Sequence, residues 1–470
     1  MNIGLIEPSP ELVAGVDTKT THLGLLYIAA VLRQAGHKVN VLDIKVSSQD
    51  EIEGFFAKDF GAIGISVTSA SFSCALPIIK RIKEARPHIP IVVGGPHVTV
   101  WGEDILNYPG IDYGICGEGE ITASELFGLL EKTPNPSEQE LSQIKGLFYR
   151  NNEKKCFSGM RELIKDVNSI PFPALDLVPL ERYSSFGIIT SRGCPFQCAY
   201  CSTPLIWNGK WRARSADNIV REVEMLVQKG ARKLVYINDD NFSLDIKRAN
   251  QICDLLIEKK LGLNFSSMGI RADRVDLPLL KKMYKAGIVS LSVGVESANP
   301  EVLKAIKKGE TLADIERGIK LAKKAGMRII GLFMIGNPLD TLLTVKETLK
   351  FAVKGYFDEV IFAFALPYPK TALWEYVKEH GRWLENNYSG FSHFSGKPVF
   401  DTPEFPLFDR LKAYKLAQEC VLKVRSRSYL VSLLKPSFLK KVFSKRLFSK
   451  ECIKRPINFL RIFLSNGRLD

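Results

Sequence analysis

No stretch of eighteen uncharged apolar residues occurs in this 470-residue chain, so no segment qualifies as a membrane-crossing helix. The first residues, MNIGLIEPSP, read at once as a strand and lack the basic and apolar regions of a secretory signal. A cytoplasmic protein is expected. The chain has no GxxxxGKS or GxGxxG phosphate loop and no recognisable Ser-His-Asp set, which removes P-loop, dinucleotide and serine-hydrolase chemistry from consideration. A disulfide framework is missing too. Nine cysteines are an odd number, and six of them (Cys74, Cys116, Cys156, Cys253, Cys420, Cys452) are scattered, as in a protein of a reducing compartment. The formal charge of +14 is not spread over the chain, because residues 421 to 470 carry +11 and the other 420 residues only +3. That distribution argues against a general nucleic-acid surface and assigns the excess to one local patch.

What the chain does have is length for two or three domains and two series of alternating strands and helices. In residues 1 to 150 the runs NIGLIEP, HKVNVLD, GAIGISV, IPIVVGG and IDYGICGEGE alternate with helical stretches, predicting an α/β fold with a doubly wound parallel sheet. Ligands of such sheets sit beyond the carboxyl ends of the strands, here residues 68 to 71, 94 to 97 and 117 to 120. Residues 151 to 185, broken by Pro171, Pro173 and Pro179, read as a linker. From 186 to 385 six further strands in βα order (FGIITSRG, KLVYIND, LNFSSMGIR, IVSLSVGVES, MRIIGLFMIG, EVIFAFAL) predict a partial (β/α)6 barrel with its active loops at the strands' carboxyl ends. Residues 386 to 470 form a helical C-terminal region. Within it SFLKKVFSKRLFSK alternates Phe438, Leu439, Val442, Phe443, Leu447 and Phe448 with lysines and Arg446, an amphipathic basic helix of the kind that contacts membrane surfaces peripherally. A tail of that sort favours a lipophilic substrate.

TSRGCPFQCAYCS, directly after the first barrel strand, holds Cys194, Cys198 and Cys201 in CxxxCxxC spacing. Four thiolates would close a zinc or iron–sulfur site, whereas three leave one corner open. Together with Tyr200 before the last cysteine, this loop resembles the signature of the radical SAM superfamily. The resemblance implies that the three cysteines bind a [4Fe-4S] cluster and that S-adenosylmethionine (SAM) chelates the remaining iron. A reduced cluster, fed by a one-electron donor such as flavodoxin or ferredoxin, then cleaves SAM to a 5'-deoxyadenosyl radical. Matching strand ends carry the family's SAM contacts onto Tyr200, onto Asp239 and Asp240 in YINDDNF, onto Arg271 after NFSSMGI and onto Glu296 in GVESANP. Gly336-Asn337-Pro338 matches the loop beside the adenine.

HLGLLYIAAVLRQAGHKVNVLD, IVVGGPHVTV and IDYGICGEGE resemble the Rossmann-like cobalamin-binding domain that precedes such barrels. Cobalamin contacts are expected from Gly94 and Gly95, where bare backbone admits a bulky ligand, and from the hydroxyls of Ser66, Thr68 and Ser69. The DxHxxG loop of histidine-ligating cobalamin proteins is absent, since Asp17 and His22 are wrongly spaced, so cobalamin is expected without a histidine on cobalt. His22 and His97 are read as packing or loop residues, and GEGE at 117 to 120 as a turn followed by the acidic first turn of a helix. The reaction implied is methylation of an unactivated carbon of a small-molecule substrate. Radical cyclisation, as in tetrapyrrole ring formation, is the nearest alternative, ahead of a tRNA methylthiotransferase or a non-catalytic cobalamin or iron–sulfur sensor.

Overall fold

The computed structural model describes residues 1–8, 19–231, 234–385, 391–392 and 395–433. The predicted basic helix and residues 434 to 470 as a whole lie outside the described residues.

Short, apolar, β-branched runs form the first sheet: β1 (Asn2–Glu7), β2 (Lys38–Asp43), β3 (Ala62–Ser66), β4 (Ile91–Gly94), β5 (Tyr113–Ile115), β6 (Leu147–Asn151) and β7 (Lys154–Phe157). Their order is β2-β1-β3-β4-β5-β6-β7. The first five strands are parallel, and the hairpin β6–β7 adds two antiparallel ones. Strand alternation sends Ile63 and Ile65 to one face, where Phe55, Phe72 and Ile79 of two helices cover them. Ile3 and Leu5 go to the other face, under Leu25 and Leu32 of helix Leu23–Gln34 and Phe127 of helix Gly119–Lys132. Each such side chain contributes about 1.5–3 kcal/mol of burial. The hairpin carries the sheet past residue 150 into the stretch expected to be linker. Polar Asn151 to Lys155 gave it no apolar alternation to read, and its packing comes mainly from Leu147, Phe148 and Tyr149, with Phe157 stacked on Phe148 at 4.4 Å.

The second sheet is β8 (Ser185–Ile188), β11 (Leu234–Ile237), β12 (Asn264–Ile270), β13 (Ile288–Glu296), β14 (Arg328–Ile335) and β15 (Glu359–Phe364), all parallel in the order β15-β14-β13-β12-β11-β8. A two-stranded ribbon, β9 (Ser191–Arg192) with β10 (Arg212–Ala213), brackets the cysteine loop. The six expected strands and the helices between them are present. Phe186, Val235, Phe265, Leu291, Phe333 and Phe362 face the helices in one continuous core. Helix Leu407–Leu433 lies over β14, β15 and the helix Leu342–Ala352. No helix among the described residues is long and apolar enough to cross a membrane.

His97 is a packing residue. It is 1% exposed, its ring stacks on Phe72 at 4.2 Å, and Nδ1 lies 3.1 Å from the Ser69 hydroxyl. Burial lowers its pKa to about 3. Below pH 6.5 the unfolded chain therefore takes up a proton that the folded chain refuses, and stability falls as pH drops toward 3. Each unit of the shift is worth about 1.4 kcal/mol at most. We expect His97→Gln to flatten the decline of melting temperature between pH 6.5 and 4 relative to the wild type. Superimposable slopes would show that His97 is not held neutral.

Candidate functional site

The carboxyl edges of the two sheets face one cavity of about 390 Å³. Its first-domain wall is built around glycine: Gly24, Gly64, Gly94, Gly95, Gly117 and Gly119 all line it. A Cβ at Gly64 would stand 2.7 Å from Leu5, and one at Gly119 would stand 3.0 Å from Ile28. Gly95, at φ 103°, packs so close to the Val67 carbonyl that a Cβ would lie 2.7 Å from it. Side chains at these positions would fill the space, so the groove between the sheet and its two helices is kept open by composition. Of the expected cobalamin contacts, Ser66, Gly94 and Gly95 line the cavity. Thr68 and Ser69 do not. Thr68 closes a local turn with Ser71 (N to Oγ, 3.0 Å), and Ser69 is buried against His97 and the Trp101 indole. The groove fits an extended ligand arm laid against the sheet, with the Ser66 hydroxyl at its upper end.

On the barrel side, the cavity reaches Ser191, Arg192, Thr203, Trp207, Asn238 and Asp240. The cysteine loop hangs between β9 and the short helix Thr203–Ile206. Gly193 adopts φ 91°, with a would-be Cβ on top of the Lys210 carbonyl, and its N–H donates to Asp240 Oδ2 at 3.0 Å. Cys194, Cys198 and Cys201 are half-buried. Burial raises all three thiols, Cys201 to about 11. Among the described residues no three His, Cys, Asp or Glu side chains surround a single-ion position. Three thiols on one loop are a donor set that leaves one corner of a four-iron cluster open, whereas a closed zinc site takes four protein ligands.

The strand-end residues divide. Tyr200 donates to Glu296 Oε1 at 3.0 Å, and burial followed by the Glu296 charge pushes its phenol far above the usual range. Glu296 itself has φ 64° and faces Lys308 Nζ at 3.5 Å. Asp240 opens onto the cavity and accepts from Thr203 Oγ1 at 3.0 Å as well as from Gly193. Asp239 is 3% exposed and saturated: it accepts from Thr190 N at 2.6 Å, from Ser191 Oγ at 2.6 Å and from Thr190 Oγ1. It ties the strand to the loop instead of facing a ligand. Arg271, expected to grip a carboxylate of SAM, already grips Asp273 through Nε and Nη2 at 3.0 Å each, donates to the Lys308 carbonyl, and lies 3.7 Å from the Phe196 ring.

Two groups escaped the sequence reading. Lys308 is buried between Glu296 and Glu310, both at 3.5 Å, and acts electrostatically on Cys198. Burial opposes its charge, but the two carboxylates outweigh that and raise its pKa. One of two adjacent lysines in IKKGE, it gave no signal beyond an exposed helix end. GEGE is more than a turn and a helix start: Glu118 and Glu120 form buried ion pairs across the domain boundary to Arg192 and Arg212. The buried Gly336–Asn337 turn is held by Asp340 Oδ2, which accepts both backbone N–H groups at 3.0 Å.

Comparison with known proteins agrees with this geometry. Residues 12–127 match the family model of the B12 binding domain and residues 188–352 that of the radical SAM superfamily. An uncharacterised methyltransferase of Pyrococcus horikoshii is 32% identical over 452 residues, covering 93% of this chain and 94% of that protein. An anaerobic magnesium-protoporphyrin IX monomethyl ester cyclase of Synechocystis is 28% identical over 64% of this chain and 62% of its own length. The structure of the radical S-adenosylmethionine methyltransferase TsrM from Kitasatospora setae, with cobalamin and a [4Fe-4S] cluster bound, superposes with a TM-score of 0.70 at 17% identity, covering 93% of this chain and 89% of that one.

Gly193→Ala should force the loop off the Lys210 carbonyl at a cost of about 1–3 kcal/mol. We expect a lower melting temperature and faster iodoacetamide labelling of Cys194, Cys198 and Cys201 in peptide mapping. Unchanged labelling would mean that the glycine is not what shapes the loop.

Proposed function

Because this chain belongs to the radical SAM superfamily and carries a B12-binding domain ahead of its barrel, we propose that it methylates an unactivated carbon of a small-molecule substrate with cobalamin as methyl carrier. The observation that supports this most directly is the single cavity shared by the glycine-lined groove and the cysteine-loop hairpin. Two cofactors held at its two ends would act on one substrate without diffusing between sites.

Cys194, Cys198 and Cys201 would hold the cluster, and Tyr200, Asp240 and Glu296 would contact SAM. Ser66, Gly94 and Gly95 would receive cobalamin. When bound, these groups supply one-electron cleavage of a sulfonium carbon–sulfur bond and a transferable methyl group. The chain's own part is placement and exclusion of water. Asp240 fixes the loop through the Gly193 N–H, and Asp239, with both oxygens bonded, holds the loop's root. The Tyr200 hydroxyl keeps Glu296 aimed toward the cysteines. Lys308 balances the negative charge that Glu296 and a thiolate at Cys198 bring together. Arg271, stacked on Phe196, stiffens the loop from below. The electron would come from a flavodoxin- or ferredoxin-type donor.

The test is anaerobic reconstitution with iron, sulfide and hydroxocobalamin, followed by SAM and reductant. We expect 5'-deoxyadenosine from the wild type and none from Cys198→Ala, and a corrinoid absorption band that survives gel filtration in the wild type but not in Gly94→Leu. A fully loaded cluster that leaves SAM intact overturns the radical reading. Cleavage of SAM by a protein that retains no corrinoid would instead overturn methyl transfer and favour ring-forming radical chemistry.

A further inference from the structure

The GEGE turn of the first domain and the ribbon that carries the cysteine loop are joined by a buried four-residue ion-pair knot. Arg192 Nη1 donates to Glu118 Oε1 at 2.7 Å and Arg192 Nη2 to Glu120 Oε1 at 2.6 Å. The other oxygen of Glu118 accepts from Arg212 Nη1 at 2.7 Å and from the Ile164 N–H at 2.8 Å. The four side chains are between 3% and 12% exposed. Both guanidinium groups lie near the Trp207 ring, at 5.9 and 5.4 Å, and Arg192 also lies 5.5 Å from Tyr27 of the first domain. Arg192 and Arg212 pair across the β9–β10 ribbon. Arg192 is two residues from Cys194, while Glu118 and Glu120 flank the first residue of helix Gly119–Lys132, which walls the glycine-lined groove.

Stability alone does not account for such a knot. Burying two carboxylates and two guanidinium groups costs about as much desolvation as the pairs return, and apolar residues of similar volume would hold a boundary as well. A guanidinium fork adds direction: two parallel N–H groups fix the distance and angle between what carries the fork and what carries the carboxylates. Here the fork joins the root of the cysteine loop to the rim of the groove, and Glu118, Glu120 and Arg192 themselves face the cavity between them.

We propose that Arg192 is a positioning residue for the two-cofactor reaction, its fork on Glu118 and Glu120 setting the separation and orientation of the cluster loop relative to the corrinoid groove. The proposal rests on the methyl-transfer reading above. A lysine at 192 keeps the charge but offers no fork, so one ammonium cannot hold both carboxylates at their present angle. Glu118→Gln and Glu120→Gln each weaken one arm without removing volume. The exposed Arg182–Glu51 pair, which joins the linker to the first domain at 2.5 and 2.9 Å, is the control for a domain contact away from the cavity.

The experiment uses full-length protein reconstituted with the cluster, reduced to its paramagnetic [4Fe-4S]+ state, and with cob(II)alamin, and reads the spacing between the two paramagnets by dipolar pulsed EPR. In parallel, the same preparations, given only SAM and reductant, yield a product ratio of S-adenosylhomocysteine, left when the SAM methyl group passes to the corrinoid, to 5'-deoxyadenosine. A narrow wild-type distance distribution should broaden in Arg192→Lys and in Glu118→Gln, with the product ratio falling by up to about a hundredfold, the scale on which a misplacement of about 1 Å costs rate. Arg182→Ala should leave both readouts at wild-type values. Corrinoid and iron content, measured on every sample, separates misplacement from lost binding. Wild-type protein that retains corrinoid with a narrow distribution, unchanged in Arg192→Lys and with an unchanged product ratio, overturns the positioning role alone. Wild-type protein that retains no corrinoid overturns the methyl-transfer reading, and the positioning role with it.

Discussion

Two parallel sheets can share a ligand space only if their carboxyl edges are turned toward each other, and in this chain a buried exchange of charge across the domain boundary keeps them so. Parallel strands leave their binding loops on one edge. In the first sheet that edge is Ser66, Gly94 and Gly117, and in the second it is Asn238, Asp240 and Glu296. Were the domains free to rotate, each edge would open onto water and the cavity would be two shallow grooves. Carboxylates on one rim and guanidinium groups on the other give the facing arrangement its direction, because the fork of Arg192 meets Glu118 and Glu120 together at only one distance and angle.

Further polar groups lie deep at this boundary, each with a partner on the other side. Asp43 accepts from the Tyr183 hydroxyl at 2.8 Å, so the end of β2 is fastened to the residue that leads into β8. The Gly187 N–H donates to Thr21 Oγ1 at 3.0 Å, and Thr20 meets Ser185 hydroxyl to hydroxyl at 2.6 Å. Glu7 is pushed well above the carboxylate range by burial and by Asp43. Most of these bonds link residues more than 130 positions apart. Each is worth little by itself, about 0.5–1.5 kcal/mol, yet a partner lost on one side leaves a buried donor or acceptor unsatisfied on the other. These contacts tie the first domain to the entry of β8 at several points along one surface.

What could be read from the sequence follows from the range of each interaction. Strand runs such as IGLIE and IVVGG announce themselves through local apolarity, and the CxxxCxxC loop through spacing, so both sheets and the three thiols were legible. Thr68 and Ser69 looked like ligand hydroxyls because side-chain type says nothing of partner. In the folded chain Ser71 captures the first, and His97 and Trp101 the second. Arg192 and Glu118 are 74 positions apart, with no periodicity to connect them, and GEGE carries the same local signature whether its carboxylates face water or a guanidinium. Lys308 was invisible for the same reason, since only the approach of β13 gives it Glu296.

Asp239 and Asp240 show how a single step along the chain beyond β11 separates structure from chemistry. They are neighbours in YINDDNF with the same side chain, and family resemblance treats them alike. Both lie beyond Ile237, the last residue of β11, where the chain turns, so the first is directed to Thr190 and Ser191 while the second faces the cavity. Gly269 makes that division possible. A Cβ there would sit on the Asp239 carbonyl and 2.8 Å from that of Asp240, so only a residue without a side chain lets β12 come close enough for the Gly269 carbonyl to take the Phe242 N–H at 2.9 Å. That bond turns the chain sharply after Asp240 and leaves its carboxylate pointing at the Gly193 N–H. The cysteine loop thus takes its shape from a pair of glycines, one on the loop and one on a strand 76 positions away, and the acid between them bonds only where both lack a Cβ.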